Sequence, residues 1–154
     1  MHSPPINKAL TTIIVAAAVA LVALTLYTAY FGVFPDGIQR SAHLLLVMII
    51  VFSMAFQGTF DHEKTPQSGP GLLLRRAWIV VALSAALIAT GHLLFNFDAI
   101  NGRYGAITQI EIIIGAGLVV ALFDACRRTI GWPIVLLASM FVLYALFGAY
   151  LPDP

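Results

Sequence analysis

Apolar side chains run almost unbroken through five stretches of this chain, and polar residues gather in the gaps between them. The stretches cover residues 9–31, 39–56, 77–95, 107–125 and 133–151. A bilayer core of about 30 Å is crossed by roughly 20 apolar residues in a helix, so each stretch predicts a transmembrane helix. A strand in lipid would leave its backbone edge unpaired. The expected fold is therefore an all-α integral membrane bundle of about five transmembrane helices, forming one membrane domain over residues 1–154. The first stretch reads as a retained span rather than a cleaved signal peptide. Its apolar core is too long, and it ends in Tyr27, Tyr30 and Phe31 where a cleavage site needs small residues. The fifth stretch is apolar on every side, which favours crossing the membrane over lying along its surface. The gap at 58–74 holds Asp61, His62, Glu63, Lys64, Pro66 and a Ser-Gly-Pro-Gly run, and reads as a flexible cytoplasmic connection.

Composition strengthens this reading. Apolar residues make up 60% of the chain and charged residues 10%, against about 25% charge in an ordinary soluble domain. Mean hydropathy is +0.95. A soluble chain of this size could not hide so much apolar surface, so lipid is the expected solvent for most of it. The net charge of +1 gives no sign of a nucleic-acid partner. The distribution of charge says more. Lys8, Lys64, Arg75, Arg76, Arg127 and Arg128 fall on one side of the predicted spans, and only Arg40 and Arg103 fall on the other. Positive residues accumulate on the cytoplasmic side, so the N-terminus is expected in the cytoplasm. Tyr27, Tyr30, Trp78, Trp132, Tyr144 and Tyr150 lie mostly near segment ends, as interfacial anchors do. The single cysteine, Cys126, excludes an internal disulfide.

Ionisable residues inside spans point to function by default, and few occur here. His43 and His92 lie on antiparallel segments at similar depth near the outer face. That depth permits a bis-histidine haem site; the plainer reading is a pair of interfacial, hydrogen-bonding imidazoles. Glu111 opens the fourth segment, where a helix N-terminus favours a carboxylate. With His92, Asp98 and Arg103 it could form a polar cluster that meets a partner. Asp124, Arg127 and Arg128 close the fourth segment. Cations suit a helix C-terminus and hold topology at the inner interface, and Asp124 is spaced to pair with either arginine. Trp132 follows at the same level. Small residues recur at Ala16, Ala17, Ala18 and Ala20, and at Gly115, Ala116 and Gly117, where helices can approach closely. The sequence has no Gly-rich phosphate loop, no paired cysteines and no His-rich cluster. No span is broken by Gly and Pro in its middle, as a transporter's own substrate site usually requires. The expectation is a membrane partner or scaffold: not an enzyme, with no cofactor and no metal.

Three stretches carry a family resemblance. Gly37-Ile38-Gln39-Arg40-Ser41-Ala42-His43, Phe123 through Trp132, and Phe141 to Pro152 resemble the second-helix start, the twin-arginine turn and the closing segment of the small membrane subunit of tripartite ATP-independent periplasmic (TRAP) transporters. The likeness is nearest to the N-terminal region of fused permeases of the TAXI type. Asp124 and Cys126 depart mildly from the glutamate and threonine usual in that turn. A fused permease would also continue well past Pro152, so the chain is expected to be either a separate small subunit or a piece of a longer protein. The resemblance implies a multi-pass protein of the bacterial inner membrane that supports a large elevator permease. It implies, as partners, that permease, a periplasmic substrate-binding protein and membrane lipid. The imported substrate would be an organic acid, driven by a Na+ or H+ gradient. Arg40, His43, His92, Glu111, Asp124, Arg127, Arg128 and Trp132 are the residues expected to set topology and interactions. A small subunit of a tripartite tricarboxylate transporter is the nearest alternative. A haem-bearing membrane anchor using His43 and His92 is the alternative from another class.

Overall fold

The structure is a computed structural model that describes residues 5–32, 34–60, 70–103 and 106–147. All regular structure among the described residues is helical: α1 (Pro5–Phe31), α2 (Asp36–Gln57), a 3-10 turn (Gly58–Phe60), α3 (Pro70–Phe95), α4 (Phe97–Gly102), α5 (Gln109–Thr129) and α6 (Trp132–Phe147). Four of these helices are long and apolar enough to cross a membrane, with candidate spans of 26, 21, 26 and 21 residues in α1, α2, α3 and α5. At 1.5 Å per residue these are about 31–39 Å long. The 16 described residues of α6 reach about 24 Å. Residues 148–151, assigned to that segment from the sequence, lie outside the described residues, as do 61–69 of the polar gap and Tyr150.

The helices outrun the apolar stretches that announce them. α3 begins at Pro70, inside the gap read as a connection. Proline is pre-set for a helix start, and Leu72, Leu73 and Leu74 carry the apolar run across Arg75 and Arg76. α5 continues to Thr129, so Arg127 and Arg128 occupy its last turn. The gap between the third and fourth apolar stretches contains the six-residue helix α4. Its Phe97 ring lies against the backbone of α2 so closely that a Cβ on Gly37 would overlap it.

Consecutive long helices pack side by side. α2 lies against α1 and α3, α3 against α5, and α5 against α6, while α1 meets mainly α2. The buried and half-buried residues of α1 are Asn7, Leu10, Ile14, Ala17, Leu21, Leu24 and Thr28, with Ala18 beside them. Steps of three and four alternate along that row, the spacing that keeps one face of a helix against its neighbour. α5 repeats the rhythm through Glu111, Ile114, Leu118, Ala121, Ala125 and Arg128.

The centre of the bundle joins three helices. Met48 and Phe52 of α2 meet Ile79, Ala82 and Ala86 of α3 and Ala121 and Ala125 of α5. Phe52 is fully buried. Phe52 and Met48 are the large side chains of this cluster, and the four alanines around them, Ala82, Ala86, Ala121 and Ala125, are small enough for helix backbones to come close. Replacing Phe52 by Ala should open a cavity on the order of 100 Å³ and cost about 2 kcal/mol, the cavity part of a core truncation. The transfer part is small because lipid is itself apolar. Leu136→Ala, at a position 65% exposed on α6, should change stability by less than about 0.5 kcal/mol. Reversible unfolding in mixed micelles measures both; equal effects would show that Phe52 does not plug the core.

Candidate functional site

The charged side chains of the described helices collect towards the two ends of the bundle. One end holds the start of α1, the end of α2, the start of α3, the end of α5 and the start of α6. The other holds the end of α3, α4 and the start of α5.

At the first end, Asp124 is buried, with a side chain 7% exposed. One turn of helix places both arginines within its reach. Arg127 Nη2 donates to Oδ1 at 3.1 Å and Arg128 Nε donates to Oδ2 at 2.7 Å. Each carboxylate oxygen therefore takes one charge-assisted hydrogen bond. The Arg127 guanidinium also lies 5.5 Å from the centre of the Trp132 ring, in cation–π range. The chain turns sharply between the two aromatic and basic groups. The N–H groups of Ile130 and Gly131 both donate to the Cys126 carbonyl, and Gly131 has φ of 108°. That left-handed conformation is strained for any residue with a Cβ. Asp124, Arg127, Arg128 and Trp132 thus form one unit; helical spacing offers Asp124 either arginine, and here it takes both.

A second clasp at this end has no counterpart in the sequence reading. Arg76 Nε donates to Thr59 Oγ1 at 3.1 Å, and its Nη2 donates to the Thr59 carbonyl at 3.2 Å. Thr59 is 2% exposed and its hydroxyl donates to the Phe56 carbonyl at 2.7 Å. The start of α3 is tied to the end of α2 through this arginine. No local pattern marks the pair, because the two residues are separated by the 61–69 connection.

At the opposite end, Thr108 and Glu111 form the reciprocal capping box of α5. Glu111 Oε2 accepts from the Thr108 N–H at 2.8 Å. Its other oxygen accepts from Arg103 Nη2. His92 approaches the same oxygen, with Nε2 at 3.8 Å. Its Nδ1 lies 3.3 Å from the Asn96 amide nitrogen, which also donates to the His92 carbonyl. Nε2 is buried and has no hydrogen-bond partner among the described residues. Three of the four residues expected here, His92, Arg103 and Glu111, come together. Asp98 is exposed and has no partner among the described residues.

His43 and Arg40 stand apart from both clusters. His43 lies about two turns into α2, is exposed, and has no partner among the described residues. It is absent from the lining of the cavity beside His92, which is closed by Ile107, Glu111, Ile114 and Leu118. Arg40 is exposed near the start of α2. No group of three or more metal-ligating side chains occurs among the described residues.

No family model, curated protein or solved structure matches the chain.

Two substitutions test the clusters. Asp124→Asn should remove the carboxylate charge at the α5–α6 junction and leave one of the two arginines facing an amide NH2 with no acceptor, costing about 1–3 kcal/mol. It should also free Arg127 from its position over Trp132, which a shift in tryptophan emission would report. Glu111→Ala should fray the first turn of α5, seen as faster amide exchange at Gln109–Ile112, while Glu111→Gln keeps a capping acceptor and slows that exchange again.

Proposed function

We propose that the chain is the small, non-catalytic membrane subunit of a TRAP-type secondary transporter. In this reading it lies in a bacterial inner membrane with its N-terminus in the cytoplasm and five spans, α6 being the last. It widens the static scaffold of a large elevator permease that imports an organic acid handed over by a periplasmic binding protein, powered by a Na+ or H+ gradient.

The observation that carries the proposal is the uncovered face of α1. Within this chain α1 uses a single seam against α2. Ala16, Ala20 and Ala23, on the other side of the helix, are exposed. They follow one another at steps of four and three, a small-residue row on which another helix can come close. The motifs that resemble the TRAP family add to this. Gln39, Arg40 and His43 sit in the first two turns of α2, and 123–132 covers the junction of α5 and α6. Phe141–Phe147 lies in α6, and the remainder of that motif lies outside the described residues. The long helices are continuous through their middles, as suits a scaffold whose partner carries the moving, broken helices.

Affinity purification of the tagged chain from its native membrane in mild detergent should recover a large multi-span permease, identified by mass spectrometry. The double variant Ala16→Leu, Ala20→Leu should lower that recovery severalfold while the chain itself remains folded by circular dichroism. A redox enzyme in the eluate, or recovery unaffected by the leucines, would overturn the reading. Fusion reporters give a separate check on topology: a fluorescent protein at the N-terminus should fold and emit, and alkaline phosphatase there should be inactive.

A further inference from the structure

Between α2, α3, α5 and α6, at the end where the arginines gather, an open cleft of about 1000 Å³ enters the bundle. That is at the upper limit of ordinary small-molecule sites, about 300–1,000 Å³. Its wall has two chemistries. Arg75, Arg127 and Arg128 lie on it, while Leu74 and Val81 supply apolar surface. Trp78 and Trp132 line it as well. Asp124, which holds Arg127 and Arg128, does not contribute to the lining. Three guanidinium groups therefore face the cleft and its neighbourhood against one buried carboxylate. Arg75 is exposed and has no acidic partner among the described residues.

We propose that this cleft is a binding site for one anionic phospholipid. The headgroup phosphate lies among Arg75, Arg127 and Arg128, and an acyl chain runs over Leu74 and Val81 between the two indoles. Three observations on the page favour a lipid over other ligands. The arginines match a phosphate, which guanidinium groups bind in a bidentate manner. Tryptophan rings prefer the level where headgroup meets hydrocarbon. The apolar wall belongs to helices long and apolar enough to cross a membrane, so the hydrocarbon has a continuous surface to follow. Basic clefts between helices at a membrane face are the usual form of such headgroup sites. The site does not depend on the transporter reading. It needs only the membrane setting and the closed Asp124 unit that fixes two of its arginines.

The chain supplies its own probe, because its two tryptophans are Trp78 and Trp132 and both line the cleft. The full chain in mild detergent is titrated with phosphatidylglycerol or phosphatidylcholine carrying brominated acyl chains, which quench indole fluorescence on contact. Quenching by the glycerol lipid should reach its midpoint at a concentration at least about fivefold lower than the choline lipid. Arg75→Gln should raise the phosphatidylglycerol midpoint by about fivefold, the contribution of one cation near a lipid surface, and leave the phosphatidylcholine midpoint unchanged. Arg75 lies outside the ion pairs of Asp124, so its loss leaves the fold intact, as circular dichroism can verify. Equal quenching by the two lipids, or an unchanged midpoint in Arg75→Gln, would overturn the proposal. Millimolar inorganic phosphate should not relieve the quenching; if it does, the site takes free phosphate and the lipid assignment falls.

Discussion

Shape rather than hydrophobicity holds this bundle together. In water, apolar helices associate because burying them releases solvent; in lipid the surroundings are as apolar as the helices, and that drive is gone. What remains is close contact between complementary surfaces. Ala82, Ala86, Ala121 and Ala125 are small enough for α3 and α5 to come close, and Met48 and Phe52 from α2 complete the same buried cluster. The dispersion energy of each contact is minor, but a buried ring makes dozens of them. The arrangement of α2, α3 and α5 follows from this one fit, and so do the positions of the polar clusters that the three helices carry at their ends.

Those clusters obey the complementary rule that charge in a membrane belongs at the ends of helices and must be partnered there. Asp124 is the most deeply placed carboxylate described, and both of its oxygens are engaged by arginines of its own last turn. Glu111 does the same work at the other end of α5, satisfying a backbone N–H and an arginine together. One helix thus carries a closed ionic unit at each terminus. Each has the sign that suits its position: the carboxylate near the N-terminus and the guanidinium pair near the C-terminus both oppose the helix dipole.

The elements were largely legible in the sequence and their packing was not. Apolar runs mark where helices lie whether those runs face lipid or protein. For the same reason they cannot say which side faces which. Ile13, Val15, Val19 and Val22 of α1 are exposed, while Leu10, Ile14 and Leu21 turn toward α2, and nothing in their hydrophobicity separates the two sets. The start of α3 was hidden because Arg75 and Arg76 interrupt its apolar run, although Pro70 is a helix-start signal. α4 is too short to show a period at all. Local chemistry fared better: the Asp124 pairing follows from steps of three and four along one helix. The Arg76–Thr59 clasp and the arginine-rimmed cleft draw on separate helices, and only the fold brings their parts together.

The join between α5 and α6 has a consequence for how such a chain enters a membrane. Only Ile130 and Gly131 separate the two helices, and the carbonyl of Cys126 gathers both their N–H groups into the turn. A connection this short leaves the second helix no time or slack to choose its direction independently of the first. In the five-span topology proposed above, the pair enters the lipid as a single hairpin, and Arg127 and Arg128 at its bend resist translocation on behalf of both arms.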